Sequence, residues 1–354
     1  MSQIINIFDS VGIEQLRKEL RLDPQFVRKL RNDLLKKFAN DNDALAAFPA
    51  GDRVQCHVLS LFKRVDSNID GATKLLFRTS AGMLIESVIL RIATGRTTLC
   101  VSSQVGCAAA CDFCATGKMG IAQNLTPAEI LDQVFQAGQL LAAENRRLDN
   151  IVFMGMGEPF HNEQNLHETL QILTASHMFD RSPSTILVST VGVHDAMLRC
   201  AERFPLVNLA LSLHSVDQET RKTIIPLARK HPLNELQETL RQVNKLQQRE
   251  VMIEYLMLAG VNDSSDNASQ LAVWLDGIQA HVNLIPYNPI DDAPHLTGTD
   301  RDQISAFADI LKKAGRKTTV RYSLGNDIAA ACGQLVRKEN RDKAIQDHKF
   351  SRQS

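Results

Sequence analysis

From Thr97 onward the sequence alternates between short apolar runs and longer amphipathic ones, and this alternation restricts the fold more than any single motif. The short runs cover residues 99–103, 150–156, 185–190, 207–214, 251–258 and 281–287. Nearly every one precedes a helix-length stretch with apolar residues three and four apart, such as TPAEILDQVFQAGQLLAA or LNELQETLRQVNKLQQ. Six strand–helix units in series predict a parallel α/β sheet, either doubly wound or curled into a barrel. The fourth run decides between them. Val207, Leu209, Leu211 and Leu213 share one face, and Asn208, Ala210, Ser212 and His214 share the other. A doubly wound sheet packs helices on both faces and needs both apolar. A curled sheet with helices outside and a polar, ligand-lined interior matches the pattern.

The first hundred residues read differently. Residues 12–38 are expected to be helical, with Leu16, Leu20, Phe26, Leu30, Leu34 and Leu35 at helical spacing. Residues 54–92 hold two β-rich runs, TKLLFRT and MLIESVILRI, around a hairpin turn at Ser80-Ala81-Gly82. The expected organisation is a helical module over 1–50, a β segment over 51–96, the barrel over 97–322 and a C-terminal segment over 323–354.

Composition bounds the function loosely. The chain has 354 residues, 44% of them hydrophobic, and zero net charge, so charge alone neither requires nor excludes a nucleic-acid partner. Two basic runs stand out: Arg28, Lys29, Arg31, Lys36 and Lys37, and the tail with Arg337, Lys338, Arg341 and Lys343. Each alone reads as a solvated helix face. No apolar run is long enough to cross a bilayer, and the N-terminus lacks a signal-peptide pattern, so a cytoplasmic enzyme with no membrane association is expected. Seven cysteines, an odd number, argue for metal or redox chemistry over a disulfide framework.

Three of those cysteines form the motif GCAAACDFCATG, in which Cys107, Cys111 and Cys114 follow the first barrel strand. Loops in that position carry the active sites of such folds. Three thiolates leave one corner of a [4Fe–4S] cluster, which normally takes four, open to a ligand. A structural zinc site wants four ligands; Cys100 is the nearest fourth cysteine but lies outside the usual spacing. Three unrelated buried cysteines are the remaining reading.

The CxxxCxxC motif in a six-unit α/β series resembles the radical S-adenosylmethionine (SAM) superfamily. TLCVSSQVGC, FMGMGEP, SLHS, VNLIPYNP and AACGQL further resemble the RlmN/Cfr family of RNA adenosine methyltransferases, from about Thr73 to Leu335. The resemblance implies a partial (β/α)6 barrel preceded by a small N-terminal helical accessory domain. It also implies a [4Fe–4S] cluster whose open iron chelates SAM, and two SAM molecules consumed per methyl transferred. One SAM methylates a cysteine; the other yields a 5′-deoxyadenosyl radical that activates that methyl for addition to the base. A second cysteine then releases the product by forming a disulfide.

Residue by residue, Cys332 matches the methyl carrier and Cys100 the resolving cysteine. Glu86, on one strand face with Leu84, Val88 and Leu90, matches the proton acceptor, and a carboxylate among apolar neighbours is expected to hold its proton tightly. Gly157 and Glu158 match the SAM-binding pair, and Ser189, Ser212, Leu213, His214 and Asn288 match the other SAM contacts. Cys56 and Cys200 read as packing residues. The implied substrate is an adenosine of 23S ribosomal RNA, with transfer RNA as a second candidate, and the implied electron donor is a protein such as flavodoxin. A monomer is expected. Gly-Glu-Pro favours carbon two of adenine, whereas RYSLGNDIAAACGQL leans toward carbon eight; carbon two is preferred. The rival readings are a radical-SAM enzyme with a non-RNA substrate and a zinc-containing RNA-binding module.

Overall fold

The computed structural model describes residues 4–120, 122–321 and 323–335, so the basic tail beyond Gln334 lies outside the described residues. A ten-stranded sheet organises the chain, and strands adjacent in sequence are adjacent in space. They are β1 (Ser60–Asp66), β2 (Ala72–Arg78), β3 (Leu84–Arg91), β4 (Thr97–Cys100), β5 (Asn150–Phe153), β6 (Ile186–Thr190), β7 (Asn208–Ser212), β8 (Val251–Met257), β9 (Ala280–Pro286) and β10 (Lys317–Val320). Strands β4 to β10 run parallel, while β1 to β4 pair antiparallel. The β segment therefore extends the barrel sheet directly, with Val88 of β3 opposite Cys100 of β4. Thr79 and Met83 close the β2–β3 hairpin around the anticipated turn, where Gly82 takes φ 77°.

The helices are α1 (Ser10–Glu19), α2 (Pro24–Arg31), α3 (Asp41–Ala46), α4 (Pro127–Ala143), α5 (Glu163–Thr174), α6 (His194–Arg203), α7 (Gln218–Ile224), α8 (Leu233–Gln247), α9 (Ser265–Trp274) and α10 (Arg301–Lys313). Local chemistry starts them where the pattern places them. Thr126 and Glu129 form a reciprocal capping box at α4, with Pro127 in the first turn, where its missing N–H costs nothing. Asp300 caps α10 by accepting from the Gln303 N–H.

The expected curl is present. Alternate residues of β3 to β9, among them Val88, Cys100, Val152, Ser189, Ser212, Glu254 and Asn283, all reach one internal cavity. Only a sheet wrapped around that space brings side chains from so many consecutive strands together. On β7 the two faces divide as the alternation indicates: Leu209 and Leu211 are buried in the core, while Ser212 faces the cavity.

Two details go beyond the sequence reading. The helical stretch expected over 12–38 is present, interrupted between Leu20 and Asp23. Helix α1 stops at Glu19, the chain turns through Arg21 at φ 53°, and α2 starts at Pro24 under an Asp23 cap. A proline without an N–H, whose ring would clash with a preceding turn, fits only at a helix start. The one correction is β10, a seventh parallel strand whose short, half-exposed KTTV run carries little apolar signal. The basic run of α2 is a solvated face: Lys29 and Lys37 pair with Asp33, and Lys36 with Asp180, while Arg31 turns inward to Ser10.

Candidate active site

The loop after β4 forms a short antiparallel pair, Gln104–Gly106 with Ala122–Asn124, and carries Cys107, Cys111 and Cys114 between its arms. All three thiols open onto the internal cavity, whose volume is about 450 Å³. That size suits a small-molecule ligand or cofactor. Burial, reinforced by neighbouring acidic groups, pushes the Cys107 thiol up to about 12 and Cys111 well above its ordinary value. Among the described residues no three His, Cys, Asp or Glu side chains stand close enough to share one metal ion. A four-iron cluster spreads its thiolates over separate irons, so this triad fits a cluster and not a tetrahedral zinc ion. The cluster's positive irons would also supply the counter-charge that the buried thiolates need.

Glu158 lies beside this loop. Its Oε1 accepts from the Phe160 N–H at 3.1 Å and its Oε2 from the Val191 N–H at 2.9 Å. Burial raises its carboxyl to about 7. A cation arriving in the cavity, such as an amino acid's ammonium, would offset that cost. Gly157 takes φ 108°, and a Cβ there would lie 2.8 Å from the backbone nitrogen of Gln104. The strand-end turn therefore demands glycine. Ser189 and Ser212 face each other from β6 and β7 with hydroxyls 3.4 Å apart. His214 is buried at φ 59°, its Nδ1 accepting from the Leu256 N–H at 3.0 Å. Burial, then the Arg221 charge, lowers it to about 3, so it is neutral and Nε2 carries the hydrogen.

The C-terminal segment closes the site. Cys332 is exposed, but to the cavity, since it lies deep among the strands. Cys100 lines the same cavity, and its thiol rises to about 12 through burial and then the neighbouring Cys332. All seven cysteines are free, so the disulfide expected of this pair is not formed.

Three of the anticipated residues do not line the cavity. Leu213 turns into the core, and only its backbone lies at the strand end, with its N–H donated to the Glu254 carbonyl. Asn288 is buried behind the C-terminal segment, and its Nδ2 donates to the Cys332 carbonyl at 3.2 Å. Glu86 is buried on the cavity-side face of β3, with Oε2 3.7 Å from the Lys74 ammonium, which itself donates to the Ala329 carbonyl.

The structure also adds residues that the motifs did not mark. Glu254 and Asn283 face the cavity joined by a 2.9 Å hydrogen bond, and burial raises the Glu254 carboxyl. Their signal was present as polar residues inside the apolar runs VMIEYLML and HVNLIPY. Arg321 stands among Cys332, Glu254 and Cys100; burial opposes its charge, but these three more than compensate and raise its pKa. Arg221, fully buried, donates to the carbonyls of Leu213 and Val191 and so ties the ends of β7 and β6. No periodicity marks it, because it sits on a short polar helix.

Comparison with known proteins agrees with this site. Residues 101–272 match the model of the radical SAM superfamily. A probable RNA methyltransferase of Rhodopirellula baltica is 62% identical over 99% of this chain and 92% of its own length. A probable dual-specificity RNA methyltransferase RlmN of Thermus thermophilus is 44% identical over 76% of this chain and 75% of its own. The crystal structure of a radical SAM methyltransferase from Sphaerobacter thermophilus superposes with a TM-score of 0.88 at 38% identity, covering 94% of this chain and 99% of that one. Cysteine loop, curled sheet and whole-length similarity converge, and the chain belongs to the RlmN/Cfr family of radical-SAM RNA methyltransferases.

Proposed function

We propose that this enzyme methylates carbon two of an adenosine in 23S ribosomal RNA, with transfer RNA as a second substrate and Cys332 as the methyl carrier. The observation that carries this reading is the presence of two free thiols, Cys332 and Cys100, on the same cavity as the cysteine triad. A radical-SAM enzyme that used its cofactor only to abstract hydrogen would have no need of them. The relatives named RlmN and the Gly157-Glu158-Pro159 sequence support carbon two over carbon eight.

Cys107, Cys111 and Cys114 would hold the [4Fe–4S] cluster, and Gly157, Glu158, Ser189, Ser212 and His214 would hold SAM. Bound together, cluster and SAM supply the one-electron chemistry that activates a methyl group. The chain's own residues do the rest. Cys332 gives up its thiol proton and takes the methyl from the sulfonium of one SAM as a thioether, S-adenosylhomocysteine leaving, with Arg321 nearby to stabilise the thiolate. Glu86, on the cavity-side face of β3 but outside the cavity lining, is the acceptor that the resemblance implies for the proton lost from the ring carbon, which leaves as the adduct gives up one electron. Cys100, having lost its thiol proton, attacks the Cys332 sulfur, so that an S–S bond forms as the S–C bond breaks; the released carbon takes up a proton to become the methyl group, and two electrons from the external donor reduce the disulfide before the next cycle. Leu213 and Asn288 act through the backbone positions they fix. An external one-electron donor such as flavodoxin supplies electrons, and the enzyme acts as a cytoplasmic monomer.

The test is nucleoside mass spectrometry on ribosomal and transfer RNA treated anaerobically with reconstituted enzyme, SAM and reductant. A 2-methyladenosine peak is expected; an 8-methyladenosine peak would move the assignment to the other carbon. Cys332→Ala should abolish the product and any protein-bound methyl, while Cys100→Ala should accumulate protein covalently linked to RNA. A methylated nucleoside formed by Cys332→Ala would exclude the carrier role.

A further inference from the structure

Phe62 is a half-exposed aromatic side chain on an edge strand, with 52% of its surface open, where burial would be the ordinary outcome. Three independent features surround it. The pairing of β1 with β2 slips between Leu61 and Lys63, so Phe62 is the extra residue of a β-bulge. Bulges at sheet edges re-aim a side chain. The guanidinium of Arg78 lies over the ring, 4.6 Å from its centroid. Neither Arg78 nor Lys63, both exposed, pairs with an acidic side chain among the described residues, unlike Arg64, which is paired with Asp66.

The register places this group relative to the catalytic cavity. Val88 is opposite Cys100, Leu84 is opposite Arg78, and Arg78 is opposite Ser60. Arg78 therefore sits four residues beyond Cys100 in the direction of the carboxyl ends of the barrel strands, where the cysteine loop lies. Alternation puts it on the same sheet face as Glu86, Val88 and Cys100. Two strand spacings and four residues of rise separate it from Cys100 by roughly 16 Å. An RNA strand with its target base in the cavity would pass this point within a few nucleotides.

We infer that Phe62 and Arg78 form a stacking platform for an unpaired base of the RNA flanking the target adenosine, with Lys63 beside it for the backbone phosphates. An aromatic face backed by a guanidinium and flanked by unneutralised cations is the chemistry that binds single-stranded nucleic acid. Charged residues alone would serve to protect the sheet edge from pairing. That purpose gives no reason to aim an aromatic ring onto an arginine at the cavity end. The inference rests on RNA being the substrate.

The test uses the full-length reconstituted enzyme and an RNA stem-loop containing the methylated adenosine, with 2-aminopurine placed in turn at the three nucleotides on either side. One position should be quenched on binding. Phe62→Ala should remove that quench, weaken binding roughly 5- to 100-fold and raise KM for RNA. Phe62→Trp should restore both, and Arg78→Ala should weaken binding and flatten its salt dependence. Val273→Ala, which removes an exposed apolar side chain on α9, should behave as wild type, and melting temperatures confirm folding. Wild-type quench and affinity in Phe62→Ala would overturn the platform. So would a Phe62→Ala defect confined to the reaction's dependence on a protein reductant, which would make this face the donor's dock. If the wild-type enzyme methylates no RNA, the RNA reading itself falls, and that result is separable from the variant's behaviour.

Discussion

Gly157 shows how tightly single residues are bound into this site. With φ at 108° and a hypothetical Cβ 2.7 Å from the Gln104 side chain, no other residue fits without moving the turn that carries Glu158. Gly157→Ala is expected to cost about 1–3 kcal/mol of stability through backbone strain. It should also weaken SAM binding at least tenfold, because the Glu158 carboxylate would be displaced. Calorimetric titration of SAM and thermal melts would check both, and an alanine variant with wild-type affinity would remove Gly157 from the binding role. Position 157 was legible from its motif. Glu254, Arg321 and Arg221 were not, since each draws its importance from neighbours far away in the chain. A charge within an apolar strand announces an inward-facing polar group, but not which thiols it will meet.

At the scale of elements, a polar knot inside an aromatic cluster helps to hold the N-terminal helices to the barrel. His57 donates at both nitrogens, to Asp132 of α4 and Asp41 of α3, at 2.7 Å each, while Phe135 stacks on its ring at 5.0 Å between centroids. Asp132 also accepts the backbone N–H groups of Val58 and Leu59. Burial alone would lower the imidazole's pKa, but the bonds to Asp132 and Asp41 override it and hold His57 at about 9. Because the folded value lies above the unfolded one, its stabilisation is complete below pH 6.5 and lost as pH rises through 9. After allowance for solvent screening it is on the order of 2 kcal/mol at neutral pH. His57→Gln should therefore lower the melting temperature near pH 7, and the gap from wild type should close by pH 10. A gap independent of pH would show that packing, not charge, holds the junction.

At the scale of the whole molecule, the segment after β10 returns across the barrel and delivers Cys332 into the cavity. It is fastened at widely separated points. Asp327 accepts from Ser67 Oγ and the Asn68 N–H, Gly325 donates to Asp70, and Gly333 accepts from Ala115 in the cysteine loop. The far end of the β1–β2 hairpin thus sets where Cys332 sits. Asp327→Ala is expected to slow methylation of Cys332 several-fold while reductive SAM cleavage continues, and to expose residues 321–335 to proteolysis. Mass spectrometry of the protein-bound methyl and limited digestion would read the two effects. Equal loss of SAM cleavage would show a general unfolding instead.

What the sequence determined alone was everything that depends on near neighbours. The strand–helix period, the polar face of β7, the hairpin at Gly82, the helix caps and the cysteine spacing all follow from residues within a few positions of one another. Tertiary structure decided the rest. It placed Cys100 and Cys332, 232 residues apart in number (332 − 100), on one cavity with Arg321, and it joined the β segment to the barrel. It set Phe62 on a bulge beneath Arg78. Short-range patterns record which face a side chain takes. Which distant side chain it then meets depends on how the sheet curls and where the last segment returns, and those are settled only when the whole core packs at once.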